Sequence, residues 1–138
     1  MDQQNCSKKG VNIYNNPSKE EIINQAITYH LKGEISEATK YYRKLISEAC
    51  NDQRIYSNYG AILQGLGKLE EAEIYTQKAI EIDPNYAIAH SNLGIILKDL
   101  GKLEEAEIYT RKAIEIDPSY AEAYFNLGNI FITYKNLK

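Results

Sequence analysis

From residue 53 onward the chain repeats itself every 34 residues, and few folds are open to a chain built in this way. Residues 53–86 read QRIYSNYGAILQGLGKLEEAEIYTQKAIEIDPNY and residues 87–120 read AIAHSNLGIILKDLGKLEEAEIYTRKAIEIDPSY; 24 of the 34 paired positions are identical. Residues 121–138 begin a further copy with AEAYFNLGNI. Residues 19–52 are a diverged copy that keeps Asn24, Gly33, Glu37, Ala38 and Tyr41 in register. A period of this length marks a solenoid, in which units too small to bury their own apolar faces stack on one another. The expected organisation is a disordered polar leader over 1–18 and a solenoid over 19–138. The solenoid divides into repeats 19–52, 53–86 and 87–120 and a half repeat 121–138.

Within a repeat, the apolar spacing predicts two helices. Ala89, Leu93, Gly94, Ile96, Leu97 and Leu100 share one helical face, which places a first helix over about 87–100 and its counterpart over 53–66. Gly67 and Gly101 follow the last apolar residue, where a left-handed residue ends a helix well. A second helix is expected over Leu69–Ile82 and over Leu103–Ile116. Its buried stripe should be Ala72, Tyr75, Ala79 and Ile80, with Ala106, Tyr109, Ala113 and Ile114 matching. Asp83-Pro84 and Asp117-Pro118 end it, because the residue before proline avoids helical geometry. Ser18 with Glu21, and Ser119 with Glu122, have the spacing of capping boxes. The small residues Gly60, Gly94 and Gly128 in one column, and Ala38, Ala72 and Ala106 in another, suit close approach of paired helices.

The order Asn92-Leu93-Gly94, Gly101, Glu105-Ala106, Tyr109, Ala113 and Pro118 resembles the tetratricopeptide repeat. Tyr124 stands where that family usually has tryptophan or tyrosine, and His90 departs from it; in the first repeat Cys50 replaces the terminal proline. The resemblance implies an all-α, right-handed α-solenoid of antiparallel helix pairs with about seven helices. It also implies a concave groove lined by the first helix of each repeat, and a function in protein binding.

One column on that lining stands out. Asn24, Asn58, Asn92 and Asn126 recur at the 34-residue period, although asparagine is a poor residue for the middle of a helix. A carboxamide carries a donor and an acceptor side by side, and can hold a peptide backbone whatever the guest's side chains. The column resembles the asparagine ladder in the tetratricopeptide superhelix of the O-linked N-acetylglucosamine transferase, which holds extended peptides. The alternative for the same residues is a purely structural one, bonding neighbouring turns and keeping repeats in register. Arg54, Asp99 and Asn129 share the lining and complete the expected binding face. Heat-shock co-chaperones of the family grip a C-terminal carboxylate with Lys, Asn and Arg on these first helices. The matching positions here hold Ile23 and Ile27, Ser57 and Ala61, Ile88 and Asn92, so the basic residues are missing, only the asparagine column is shared, and a carboxylate clamp is rejected.

The rest of the composition mostly excludes. A formal net charge of −3 with no basic cluster argues against nucleic acid. No apolar run is long enough for a membrane span. His30 and His90 lie at unrelated repeat positions with no acidic or thiol constellation, so neither a catalytic group, a metal ligand nor a cofactor is expected. Cys6 and Cys50 fit no metal or disulfide framework and are expected as free thiols in the cytoplasm. The leading expectation is a scaffold for a protein or an extended peptide. The alternatives are a substrate-targeting module of a separate or lost transferase, and a self-associating array. Leu127, Ile130, Phe131 and Ile132 in the half repeat make it the expected contact of any homo-oligomer.

Overall fold

The computed structural model describes residues 16–137. Among them lie seven α-helices and no strand: α1 Lys19–Leu31, α2 Ile35–Ser47, α3 Gln53–Gly65, α4 Leu69–Ile82, α5 Ala87–Asp99, α6 Leu103–Ile116 and α7 Ala121–Asn136. Residues 1–15, where most of the expected leader falls, are outside the described residues. The three hairpins α1–α2, α3–α4 and α5–α6 follow one another, and α7 packs on α6 as the first helix of the next unit. The odd-numbered helices α3, α5 and α7 also pack along one another, whereas α4 and α6 make no comparable contact. The array therefore has an inner row of odd helices and an outer row of even ones, which is the expected solenoid.

The hairpins turn at Gly33, Gly67 and Gly101, whose φ angles of 77°, 78° and 80° fall in the left-handed region. Lys68 and Lys102 then return their N–H groups to the carbonyls of Leu63 and Leu97. The link between the first two hairpins is built differently. Ala49 takes the left-handed residue, at φ 54°, and Cys50 donates to the Leu45 carbonyl. Cys50 is buried and disulfide-bonded. The expectation of a free thiol at this position is thus corrected, and with it goes the thiol argument for a reducing compartment.

Ser18 caps α1 by accepting from the Glu21 N–H at 3.2 Å, as its spacing predicts. The second capping box does not form. Helix α7 starts after Tyr120, one residue later than Ser119 would require. The Asp117 carboxylate accepts from both the N–H and the hydroxyl of Ser119, at 3.1 and 2.6 Å. Asp83 accepts from the Asn85 N–H in the same way, at 3.0 Å. An Asp-Pro turn thus takes the role that the serine was expected to play.

The buried stripe of the second helices also differs from the expected one, gaining a threonine while a tyrosine and an isoleucine are only partly covered. Ala72, Thr76 and Ala79, and Ala106, Thr110 and Ala113, are fully buried, while Tyr75, Ile80, Tyr109 and Ile114 are half-buried. Thr110 is hidden from water without penalty because its hydroxyl donates to the Ala106 carbonyl at 2.7 Å. A β-carbon added at Gly60 would lie 2.2 Å from Thr76 Oγ1, and one at Gly94 would lie 2.2 Å from Thr110 Oγ1 and 3.3 Å from the Ala106 carbonyl. Gly128 occupies the same column, yet nothing lies within 4 Å of the same point.

These two glycine environments give opposite expectations. Gly94→Ala should destabilise the array by about 1–2 kcal/mol through overpacking. Gly128→Ala should stabilise α7 by about 0.5–1 kcal/mol, since alanine is the better helix former and meets no clash. Urea melts followed by circular dichroism at low protein concentration measure both.

Candidate peptide-binding face

The first helix of each repeat carries its asparagine on the side that faces the helix of the preceding repeat. Asn92 Nδ2 donates to Ser57 Oγ at 3.1 Å, and Asn126 Nδ2 donates to Ser91 Oγ at 2.9 Å. Both serines are fully buried. Each bond joins two odd helices across a spacing of one repeat plus one residue, so the column ties the inner row together. The first repeat has Ile23 where the serine should be. Asn58 instead contacts the Tyr42 hydroxyl, which burial pushes up to about 12 while the Asn58 hydrogen bond pulls it the other way. Asn24 is exposed.

The four asparagines are consequently not equivalent. Asn126 is 6% exposed and presents almost nothing to a guest. Asn58 and Asn92 are half-buried; Asn92 spends one N–H on Ser57, and its carbonyl and second N–H are left over for other bonds. Asn92 also lines a small recess with Ala61, Gln64, Ile95 and Ile96, between α3 and α5. Asn129 is half-buried on α7, one helical turn after Asn126, and its backbone carbonyl accepts from the Thr133 hydroxyl at 2.9 Å.

The charged members of the expected face are engaged within the array. Arg54 forks between Glu20, at 3.1 and 3.0 Å, and Asp52, at 3.0 and 2.8 Å. Asp52 first and Glu20 second hold the guanidinium charge still more firmly than usual. Asp52 also caps α3 by accepting from the Arg54 N–H at 2.9 Å. Glu20 and Arg54 occupy the same column of adjacent repeats, so this ion pair is the first repeat's counterpart of the Asn–Ser bonds. Asp99 accepts from Gln64 Nε2 at 2.8 Å and lies 3.2 Å from Lys98 Nζ. What remains on the surface between α3 and α5 is neutral: amides, Ala61 and Ile95.

The serine partners have a periodic signal of their own, since Ser57 and Ser91 recur one residue before Asn58 and Asn92. His90, a departure from the family pattern, keeps that pattern's hydrogen bond. His90 Nε2 lies 2.8 Å from the Pro84 carbonyl, and the Tyr124 hydroxyl donates to the Pro118 carbonyl at 2.9 Å. Histidine and tyrosine thus make the same bond at the same repeat position. Among the described residues no cluster of His, Cys, Asp or Glu could hold a metal ion, and no helix is long and apolar enough to cross a membrane.

Two family profiles, both described as tetratricopeptide repeat, match residues 52–119 and 109–137. No curated protein sequence matches the chain. Among solved structures, the Sgt2 tetratricopeptide domain from Aspergillus fumigatus is 22% identical with a TM-score of 0.77, over 88% of this chain and 82% of that one. The first such domain of Spaghetti (RPAP3), bound to the HSP90 peptide SRMEEVD, is 24% identical with a TM-score of 0.74, over 83% of this chain and 90% of that one. A Thermobaculum terrenum O-GlcNAc transferase mutant is 21% identical with a TM-score of 0.77. The match takes in 80% of this chain and 21% of the transferase.

The bonds of the inner row set an order of importance among the asparagines. Asn126→Ala removes a buried hydrogen bond to Ser91, whose hydroxyl keeps Tyr120 as a partner, and should cost about 0.5–1.5 kcal/mol. Asn24→Ala, at an exposed mid-helix position, should be neutral or stabilising by up to about 0.7 kcal/mol. Thermal and urea denaturation of the two single variants distinguish them.

Proposed function

The chain belongs to the tetratricopeptide repeat family, and from that premise we propose that its inner row of helices holds an extended segment of another protein. The observation that carries this reading is the neutral, amide-bearing strip between α3 and α5. Asn92 stands there half-buried beside Ala61, Gln64 and Ile95, and the half-buried Asn58 stands one repeat earlier, on the side of α3 that faces the first repeat. Adjacent first helices sit about 8–10 Å apart, and an extended peptide advances about 3.3 Å per residue, so one amide meets about every third guest residue. Asn92 does two jobs in this scheme. It fixes register through Ser57 with one N–H, and offers its remaining polar edge to the guest. Asn126, being buried, serves register alone.

The chemistry of the strip also selects the guest. The RPAP3 domain is bound to an acidic peptide. Here Arg54 is committed to Glu20 and Asp52, and Asp99 adds a carboxylate at the strip's edge. A neutral segment recognised through its backbone fits this surface better than a C-terminal acidic tail. The likeness to the transferase is one of fold, and the targeting reading gains nothing from it. A homo-oligomer joined through α7 leaves the strip between α3 and α5 open, although Asn129, four residues after Phe125 and three before Ile132, borders the exposed apolar face of α7.

A display screen of random peptides against the purified chain, followed by titration calorimetry of the best binder, tests the reading. Asn58→Ala with Asn92→Ala should weaken binding about five- to tenfold, or ~1–1.4 kcal/mol, with helicity retained. Glu105→Ala on the outer row should change nothing. Equal affinity in the double variant would sink the proposal.

A further inference from the structure

Helix α7 carries a face that every other first helix of the well-matched repeats keeps covered. Phe131 is 44% exposed, whereas Leu97 and Leu63 at the same repeat position are buried; Tyr124 is 50% exposed, whereas His90 and Tyr56 are buried. Phe125, at 70%, replaces the fully buried Ser91 and Ser57, and Ile132, at 59%, replaces Lys98 and Gln64. The last two exchanges run from polar to apolar on the very side that would face a following first helix. At the centre of the face lies Gly128, a mid-helix glycine with open space around it. Gly60 and Gly94 are explained by the threonines pressed against them, and among the described residues Gly128 has no such neighbour.

The substitutions set this face apart from the one that α3 and α5 offer to the next first helix. A further repeat, or the first repeat of a second copy stacked head to tail, would seek a serine hydroxyl at position 125 for its asparagine. Phenylalanine offers none. The face is instead symmetric about Gly128: Tyr124 and Phe125 lie four and three residues before it, Phe131 and Ile132 three and four after it. Two such helices laid antiparallel, glycine against glycine, bring Phe125 opposite Phe131 and Tyr124 opposite Ile132. They also bring the end bearing Glu122 beside the end bearing Lys135. Such a contact is isologous and closes on itself, whereas head-to-tail stacking would run on into a filament.

We propose that α7 pairs with the α7 of a second copy, antiparallel about a two-fold axis passing beside Gly128. The pair occupies the place that α4 and α6 occupy against α3 and α5. Phe131 reaches it already held on one side by the Arg111 guanidinium, 5.6 Å from its ring centre. The contact is a single helix pair, small for a stable interface, so the dimer forms in the micromolar range, about 1–100 µM.

Sedimentation equilibrium of the full chain from roughly 1 to 500 µM, spanning that range, should show the mass rise towards twice the monomer's. Phe125→Asp with Ile132→Asp, both at exposed positions, should hold the chain monomeric with its circular dichroism spectrum unchanged. Gly128→Cys should give a disulfide-linked dimer on mild oxidation, since a residue at the two-fold axis meets itself, while Ser36→Cys on α2 should not. A monomer at every concentration would overturn the proposal, and so would a dimer indifferent to the double substitution. A chain that stays monomeric yet binds a synthetic peptide of the α6 sequence, residues 103–116, would overturn it by assigning the face to a foreign helix.

Discussion

The hairpins α3–α4 and α5–α6 depend on an approach so close that no side chain fits in it. At Gly60 and Gly94 the backbone of a first helix lies against the threonine of its partner, and the space that a methyl group would need is already filled. That contact sets the spacing within these two hairpins, which sets how the next first helix settles into the groove behind it; in α1–α2 the buried Ala26 and Tyr42 stand at the same positions. The fully buried alanines on the second helices, Ala72, Ala79, Ala106 and Ala113, serve the same end from the other side. Dispersion forces reward this density only if the fit is kept along the whole contact. Small residues in fixed columns are therefore what turns a string of amphipathic helices into a solenoid of one pitch.

Register along the inner row is fixed by polar bonds rather than by shape. Two Asn–Ser pairs link α3 to α5 and α5 to α7. The joint between α1 and α3 uses other means: a forked ion pair from Arg54 to Glu20 and Asp52, and the contact of Asn58 with Tyr42. This joint follows an inter-hairpin link without proline, where Ala49 and the disulfide-bonded Cys50 replace the Asp-Pro turn. The diverged repeat keeps the glycine turn at Gly33 but joins α3 through different bonds from those that join the later repeats.

Much of the architecture was legible because it is periodic. The 34-residue frame placed α4 and α6 at the residues where they are found, and the glycines marked the hairpin turns. What periodicity alone could not show was direction. Thr76 and Thr110 are polar by type and were passed over in favour of the neighbouring tyrosines; only the neighbour's missing β-carbon reveals why a threonine is buried there. Ser119 looked like a cap because its spacing to Glu122 is right, but the Asp117 carboxylate reached it first. The asparagine column was visible as a column. Its tie to serines one repeat away was not, because a helix seen alone does not say which neighbour its side chains lean towards. The binding face likewise read as seven free side chains, whereas Arg54 and Asp99 are held by neighbours and Asn126 is buried.

The near-identity of the repeats carries a hazard for the folding chain. Helices α4 and α6 differ at one position only, Gln77 against Arg111. To α3, then, the two offer almost the same surface, including the threonine that meets its glycine. A hairpin between α3 and α6, with the intervening segment extruded, forfeits little in local contact. Closing the longer loop adds only about 2 kcal/mol, because that penalty grows with the logarithm of length. Synthesis from the N-terminus favours the right partner, as α4 leaves the ribosome before α6 exists. Refolding from denaturant has no such ordering, and mispaired molecules of this kind would leave it slowly.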